Sequence, residues 1–346
     1  MNSPSADLPY AIGLDIGGTK TEAMVVDQQH RIRSRVSKPT DTTSPERVMI
    51  SVTQTIYAAL REANATSQQI QVIGVGIPGL VNPETGMVRQ AVNLNLASYP
   101  LGPALTAEFN APSFLENDVR AAAVGAFEYI NRYEPVTHIA YLSIGTGISA
   151  GLILDGSLYR GVNGMAGEIG HAIVEPNGAQ CRCGTYGCLE TVVAGPAIVR
   201  QALAADATIG TPTPPDKITA GHVYAAAQSG NKAAQQVIQH VSATISRTIQ
   251  WLIMSYDVNK VLLGGGVSRD GDAFLQPILH ELAHLRLQST LARELLRDDK
   301  VALIPQEFNA GVWGAIRLAQ QAVQQHQAEW KTENETRAET QRRRVL

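Results

Sequence analysis

One glycine-rich stretch constrains this chain more than any other: residues 164–190, GMAGEIGHAIVEPNGAQCRCGTYGCLE. It holds every cysteine in the protein, Cys181, Cys183 and Cys188, and sets His171 ten residues ahead of the first. Zn²⁺ favours four tetrahedral ligands of imidazole and thiolate type, so one His and three Cys form a closed set with no position left for substrate. That predicts a structural metal. Free thiols, a disulfide or an iron–sulfur site are the alternatives. Against them, Cys181 and Cys183 are too close in sequence to bridge comfortably, three is an odd number for disulfides, and a cluster would usually want a fourth Cys.

Two acids flank this loop, Glu168 three residues before the histidine and Glu190 two residues after the last cysteine. Folding the loop on a metal brings both near one point, where carboxylates suit the hydroxyl donors of a polyol. The plainer reading of either is a solvated surface charge.

A length of 346 residues allows about two domains. Hydrophobic residues make up 44% and charged residues 17%, which is ordinary for a water-soluble globular protein. A net charge of −3 argues against a nucleic-acid partner. No apolar run approaches the roughly 18 residues of a membrane span, and Met1 to Pro9 has no leader character. A cytoplasmic protein with reduced, metal-held cysteines is expected, and no membrane partner.

Residues 10–27, YAIGLDIGGTKTEAMVVD, read as strand, tight turn, strand around Gly17-Gly18. Backbone N–H groups freed by these glycines, with Thr19 and Lys20 alongside, can receive phosphate oxygens, and Asp15 can hold Mg²⁺ through water. An ordinary hairpin would carry the same glycines. A second copy strengthens the phosphate reading: residues 140–155, AYLSIGTGISAGLILD, align with 12–27 at a constant offset of 128, with Gly145, Thr146 and Gly147 in the turn. Two such turns facing each other across a cleft would grip a polyphosphate from both sides.

Between the copies, Ser44-Pro45 opens a helix, Gln71 to Ile77 is a buried strand, and Val81 to Asn95 is a hairpin with NPETG at its tip. A short strand ends at Glu116-Asn117-Asp118, directly before a helical pattern. Asp118 is then either a plain N-cap or a general base held ionised at a helix N-terminus. Polar groups at the carboxyl end of a strand favour a site. Lys260 to Val267, KVLLGGGV, is a strand running into Gly264, Gly265 and Gly266, which either admit a flat ring or ribose or serve helix packing. Ala310 to Gln325 is a helix, and residues 326–346 are a polar tail or a frayed extension of it.

Assembled, these residues resemble the ROK family of repressors, open reading frames and kinases, within the actin-like ATPase superfamily. The pieces are DIGGTK at Asp15 to Lys20, END at Glu116 to Asp118, GTG at Gly145 to Gly147, GEIGH at Gly167 to His171, CRCGTYGCLE at Cys181 to Glu190, and GGGV at Gly264 to Val267. The resemblance implies an α/β, two-domain actin-like (ribonuclease H-like) fold, each domain a mixed sheet flanked by helices, with an inter-domain cleft. The small domain would be 1–118 plus a helix about 310–346, and the larger would be 119–309 with the zinc loop. It implies transfer of the γ-phosphoryl of ATP to a sugar hydroxyl, most simply glucose to glucose 6-phosphate. Asp118 would be the base. Asn117, Glu168, His171 and Glu190 would bind the sugar with Asn93, the Gly79 turn closing one side. The two turns would hold ATP·Mg²⁺, and Gly264 to Gly266 would lie by the adenosine. A homodimer or homotetramer is implied as well.

Two departures stand out. Family glucokinases often carry a proline and a tryptophan in the segment matching Val92 to Pro100, and here neither is at its usual place, which leaves the hexose open among glucose, N-acetylhexosamines, mannose, fructose and cyclitols. The second turn reads GTGISA rather than the glycine-richer version. A sugar-sensing repressor would need a helix-turn-helix ahead of the DIGGTK strand, where nine residues precede Tyr10, so an enzyme is expected.

Overall fold

The computed structural model describes residues 9–210 and 212–325; the expected polar tail, 326–346, lies outside them. By its contacts the chain divides into two compact units, Met1–Gly125 with Asn309–Leu346, and Ala126–Phe308. The sequence-based boundary falls at the start of a helix, Asp118–Ile130, and the contact boundary falls inside it.

In the first unit, β1 (Tyr10–Ile16), β2 (Lys20–Val26), β3 (Ile32–Pro39), β4 (Ile70–Ile77) and β8 (Ser113–Asn117) form one sheet in the order β3-β2-β1-β4-β8. Strands β1, β2 and β3 pair antiparallel, whereas β4 and β8 extend the sheet in parallel. Helix α1 (Pro45–Glu62) starts where Ser44 accepts the Arg47 amide at 3.3 Å with Pro45 in the first turn, and it buries Val48, Val52, Ile56 and Ala59. Strands β5 (Leu80–Asn82), β6 (Met87–Ala91) and β7 (Leu96–Tyr99) form a small sheet, so the expected hairpin gains a third strand. Helices α2 (Leu101–Phe109) and α3 (Asp118–Ile130) flank β8 in sequence.

Residues 310–325 form a further helix. Two strand glycines let it lie close on the sheet: a Cβ on Gly13 would come within 2.7 Å of Val312 and Ile316, and one on Gly74 would strike the Ala315 carbonyl. This helix thereby begins beside the carboxyl end of β1.

The second unit repeats the plan. Strands β9 (Ile139–Ile144), β10 (Ile148–Leu154), β11 (Ser157–Tyr159), β12 (Lys260–Gly264) and β13 (Val301–Leu303) run in the order β11-β10-β9-β12-β13, the first three antiparallel and the last two added in parallel. Helices α4 (Glu190–Val193), α5 (Gly195–Ala205), α6 (Ala220–Gln228), α7 (Lys232–Tyr256), α8 (Asp272–Gln288) and α9 (Thr290–Leu295) supply a core that includes Ile198, Ile245, Ile249 and Phe274. Strand β12 ends at Gly264 instead of continuing to Val267.

The internal repeat is thus a whole sheet, but its offset is not constant. In the first hairpin Leu14 pairs with Ala23 and Ile16 with Thr21; in the second Leu142 pairs with Ala150 and Ile144 with Ile148. The offset is 128 on the first strand and 127 on the second, because the second turn is one residue shorter. Among the described residues no helix is long and apolar enough to cross a membrane.

Candidate active site

In the first unit, three parallel strands end at one edge, with Asp15, Gly76 and Glu116 in line and Asn117 opposite Ile77. The β1–β2 turn is closed by the Gly17 amide donating to the Lys20 carbonyl at 2.9 Å, leaving Thr19 and Lys20 exposed. Gly18 touches the Asn93 segment, since a Cβ there would sit 2.9 Å from the Asn93 carbonyl oxygen. The Gly17-Gly18 turn and the Asn93 turn therefore adjoin within one unit.

Asp15 faces Glu22 across β1 and β2. Burial, with the charges of Asp118 and Glu22 nearby, pushes its carboxyl up to about 6. Glu22 is buried and accepts from Arg35 Nε at 2.6 Å and from Asn309 Nδ2 at 2.9 Å. Lys20 Nζ stands 3.9 Å from its other oxygen.

At the β8–α3 junction, Asn117 Oδ1 accepts the amides of Val119 at 3.1 Å and Arg120 at 3.2 Å, so Asn117 caps the helix. The capping reading of Asp118 is corrected accordingly, although Asp118 Oδ1 also accepts the Val119 amide at 2.9 Å. Asn117 Nδ2 donates to the Gly79 carbonyl at 3.2 Å, tying that turn to the same point. Gly79 has φ +96°, and a Cβ there would collide with the Gln90 carbonyl. Glu116 forms a buried pair with Arg120 at 2.7 Å, and its Oε1 also accepts the Asn117 amide at 2.9 Å.

In the second unit, the Gly145 amide donates to the Gly147 carbonyl at 2.8 Å, and Gly195 at the start of α5 donates to the Gly145 carbonyl at 2.8 Å. Thr146 is exposed at the tip. The Glu190 carboxylate lies against Gly147, where a Cβ would meet its Oε2. Glu190 therefore adjoins the Gly145–Gly147 turn as well as the cysteine loop. The three glycines of GGGV divide between the two explanations offered for them. Gly264 makes room for the Tyr141 ring, and Gly265 has φ +92° against the Ile144 backbone, so these two serve packing; a Cβ on Gly266 would meet nothing within 4 Å. A Cβ on Gly145 would sit 3.7 Å from the Gly266 amide nitrogen, so the open glycine borders the turn.

The ligand atoms of His171, Cys181, Cys183 and Cys188 all lie within 4.8 Å of one another. Cys183 Sγ and Cys188 Sγ are 3.7 Å apart, and Cys181 Sγ is 3.6 Å from His171 Nδ1. Tetrahedral zinc with bonds of about 2.3 Å to sulfur and about 2.05 Å to nitrogen would have edges of about 3.8 and 3.6 Å, so the set fits the ion. All three cysteines are free thiols. Burial, with Cys183 and Cys181 alongside, pushes the Cys188 thiol up to about 12, so three thiolates at this spot call for a cation. Nδ1 is the nitrogen turned to the sulfurs, which leaves Nε2 of the exposed imidazole for another partner.

The loop geometry explains the glycines of GEIGH. Gly167, at φ +96°, and Gly170 press on the backbone of β10, where a Cβ would strike the carbonyls of Ala150 and Ile148. The Gly167 carbonyl also accepts the Ala150 amide at 2.8 Å. Glu168 and His171 are thereby carried on the strand that follows the Gly145–Gly147 turn. Asp15, Gly17, Gly18, Thr19, Lys20, Gly79, Asn93, Asn117 and Asp118 belong to the first unit; Gly145 to Gly147, Glu168, His171, Glu190 and Gly264 to Gly266 belong to the second. Sequence reasoning missed Glu22 and Asn309. The signal for Asn309 was present as Asn-Ala-Gly ahead of an apolar helical pattern, an N-cap signature.

The ROK family model matches residues 11–322. A glucokinase of Thermotoga maritima is 28% identical over 320 residues, covering 90% of this chain and 98% of that one. An N-acetylmannosamine kinase of Citrobacter koseri is 29% identical, covering 89% and 98%. Among solved structures, a ROK family glucokinase from Streptomyces griseus in complex with glucose and AMPPNP superposes with a TM-score of 0.74 at 29% identity, covering 90% of this chain and 99% of that one. With the paired sheets, the END corner and the Cys₃His loop all in place over the matched span, the chain belongs to the ROK family.

Proposed function

We propose that this protein transfers the γ-phosphoryl group of ATP to a hydroxyl of a hexose, glucose to glucose 6-phosphate being the leading case. The observation that carries this reading is the END corner: Asn117 does the capping, and Asp118 stands at the helix N-terminus close enough to Asp15 to raise its pKa. A carboxylate at the positive end of a helix suits a general base that takes the hydroxyl proton. Phosphoryl transfer asks mainly for positioning and charge neutralisation, which fits two glycine turns whose backbone amides can receive phosphate oxygens.

In this reading Asn93, Asn117, Asp118, Glu168, His171 and Glu190 hold sugar hydroxyls, with Gly79 shaping one side. Asp15, Gly17 to Lys20 and Gly145 to Gly147 orient the phosphates, and Gly266 leaves room for the nucleoside beside Gly264 and Gly265. Mg²⁺, when bound through Asp15, neutralises phosphate charge. Zinc on His171, Cys181, Cys183 and Cys188 is structural and fixes the direction of His171 Nε2. A cytoplasmic homodimer or homotetramer belongs to the proposal as well.

The similarity to an N-acetylmannosamine kinase supports a second substrate reading, in which an N-acetylhexosamine, mannose, fructose or cyclitol is the acceptor. The segment 92–100 bears on that choice: it folds as a tight turn and strand with Asn95 and Ser98 at φ +53° and +48°. A regulator that binds sugar without turnover is the reading from another class. A coupled ADP-release assay over a panel of hexoses, amino sugars and cyclitols tests all three. ADP release with none of them would sink the kinase proposal.

A further inference from the structure

Asn309 stands where the chain enters the helix 310–325, and its polar atoms serve two structures at once. Its Oδ1 accepts the Val312 amide at 3.1 Å and its carbonyl accepts the Trp313 amide at 3.1 Å, which is N-cap geometry. Its Nδ2 donates to Glu22 Oε1 at 2.9 Å, and its side chain lies close enough to Asp15 to hold back the rise of that carboxyl. The first turn of the helix lies on the same carboxylate: a Cβ on Gly311 would sit 3.5 Å from Asp15 Oδ2.

Asp15 and Glu22 are paired across β1 and β2, so their two carboxylates repel unless donors hold them apart. Arg35 supplies one donor to Glu22 from a half-exposed side chain, and Asn309 supplies the other from within the unit. A neutral amide is suited to this place. A lysine there would compete with a bound cation for Asp15, whereas the amide orients the carboxylate and leaves its charge available.

We propose that Asn309 is a positioning residue for the first phosphate turn, its side-chain amide holding the Asp15 and Glu22 carboxylates in the directions that receive Mg²⁺·nucleotide. The inference rests on the kinase reading above and adds to it a residue outside the glycine turns.

The test separates donor from cap. Asn309→Ser and Asn309→Thr keep a side-chain oxygen that can accept the Val312 amide, but replace the two N–H donors of the amide with one O–H on a shorter side chain that does not extend to Glu22 as Nδ2 does. Binding of AMPPNP is measured by calorimetry with Mg²⁺ and again in EDTA, on the full chain with its metal loop intact. Expected is a loss of about tenfold in affinity for Mg²⁺·AMPPNP, the scale of one hydrogen bond to a charged group, with little change in EDTA and a thermal midpoint near that of the unaltered protein. Equal affinity with Mg²⁺, or the same loss in EDTA as with Mg²⁺, would overturn the inference while leaving the kinase reading standing. Unfolding of both variants would also overturn it, since the cap would then be the whole role. Failure of the unaltered protein to bind AMPPNP in either condition would overturn the kinase reading together with it.

Discussion

Asn117 caps the helix that Asp118 begins, and the division of labour between these neighbours shapes the corner. Asn117 spends its oxygen on the amides of Val119 and Arg120 and its amide on Gly79, while Asp118 contributes a carboxylate at the positive end of α3. The cap and the proposed base are thereby lodged in different side chains, and substitutions should separate them.

Asp118→Asn is expected to keep the fold and metal content and to lower kcat by about 10² or more, the usual reach of a general base. Asn117→Ala is expected to cost about 1 kcal/mol or more through the lost cap and the loosened Gly79 turn. Steady-state kinetics and chemical denaturation on the two variants check this; near-normal kcat in Asp118→Asn rejects the base.

Cys183 is the exposed cysteine of the Cys₃His set, so Cys183→Ser removes a ligand without opening a core cavity. Elemental analysis should find stoichiometric zinc in the unaltered protein and little in the variant, with KM for sugar raised because His171 and Glu190 lose their anchor. Unchanged zinc in the variant would remove Cys183 from the ligand set.

Gly265 and Gly266 are adjacent but should respond oppositely to alanine. Gly265→Ala places a Cβ at φ +92° against the Ile144 backbone and should lower stability by at least about 1–2 kcal/mol. Gly266, at φ −66° with open space around it, should accept alanine with an unchanged melting temperature and a raised KM for ATP. Paired melting curves and ATP titrations decide the matter.

Asp15 gives a pH dependence with a definite sign. Its folded-state pKa, raised by burial to about 6 from 3.8, means that between those values the folded chain keeps a proton the unfolded chain has lost. This group's contribution to stability therefore falls as pH rises through that window, reaching a deficit of up to about 3 kcal/mol above it. Asp15→Asn should be more stable than the unaltered protein at pH 8, with the difference shrinking toward pH 4. Affinity for Mg²⁺·ATP should weaken as pH drops below about 6, where the carboxylate protonates.

Glu116 and Arg120 are both nearly excluded from water, at 3% exposure each, and pair at 2.7 Å. Arg120→Met strands a buried carboxylate beside the END corner and is expected to cost about 3–5 kcal/mol, readable by urea denaturation. A loss under 1 kcal/mol would mean that Glu116 finds other donors.

Much of the architecture was legible because its signals are local. Strand–turn–strand glycines, the Ser44-Pro45 helix start and the Cys-x-Cys loop depend on neighbours in sequence, and each stands where the residues placed it. The repeat was visible as two glycine turns, but the one-residue shortening of the second was not, since pairing register is set by hydrogen bonds between strands. That Asn117 takes the cap expected of Asp118 turned on side-chain direction at the strand end. The split among Gly264, Gly265 and Gly266 turned on what stands opposite each, Tyr141, Ile144 or open space.

By itself, the sequence determined the ROK signature, the grouping of one histidine with three cysteines and the paired turns, because side-chain chemistry and backbone freedom are carried by residue type and spacing. Only the tertiary structure decided that Asn309 reaches Glu22 across 287 positions of chain, that Glu190 rests on Gly147, and that Gly18 meets Asn93. Those contacts join segments distant in sequence, and their geometry exists only once packed strands and helices have brought the segments together.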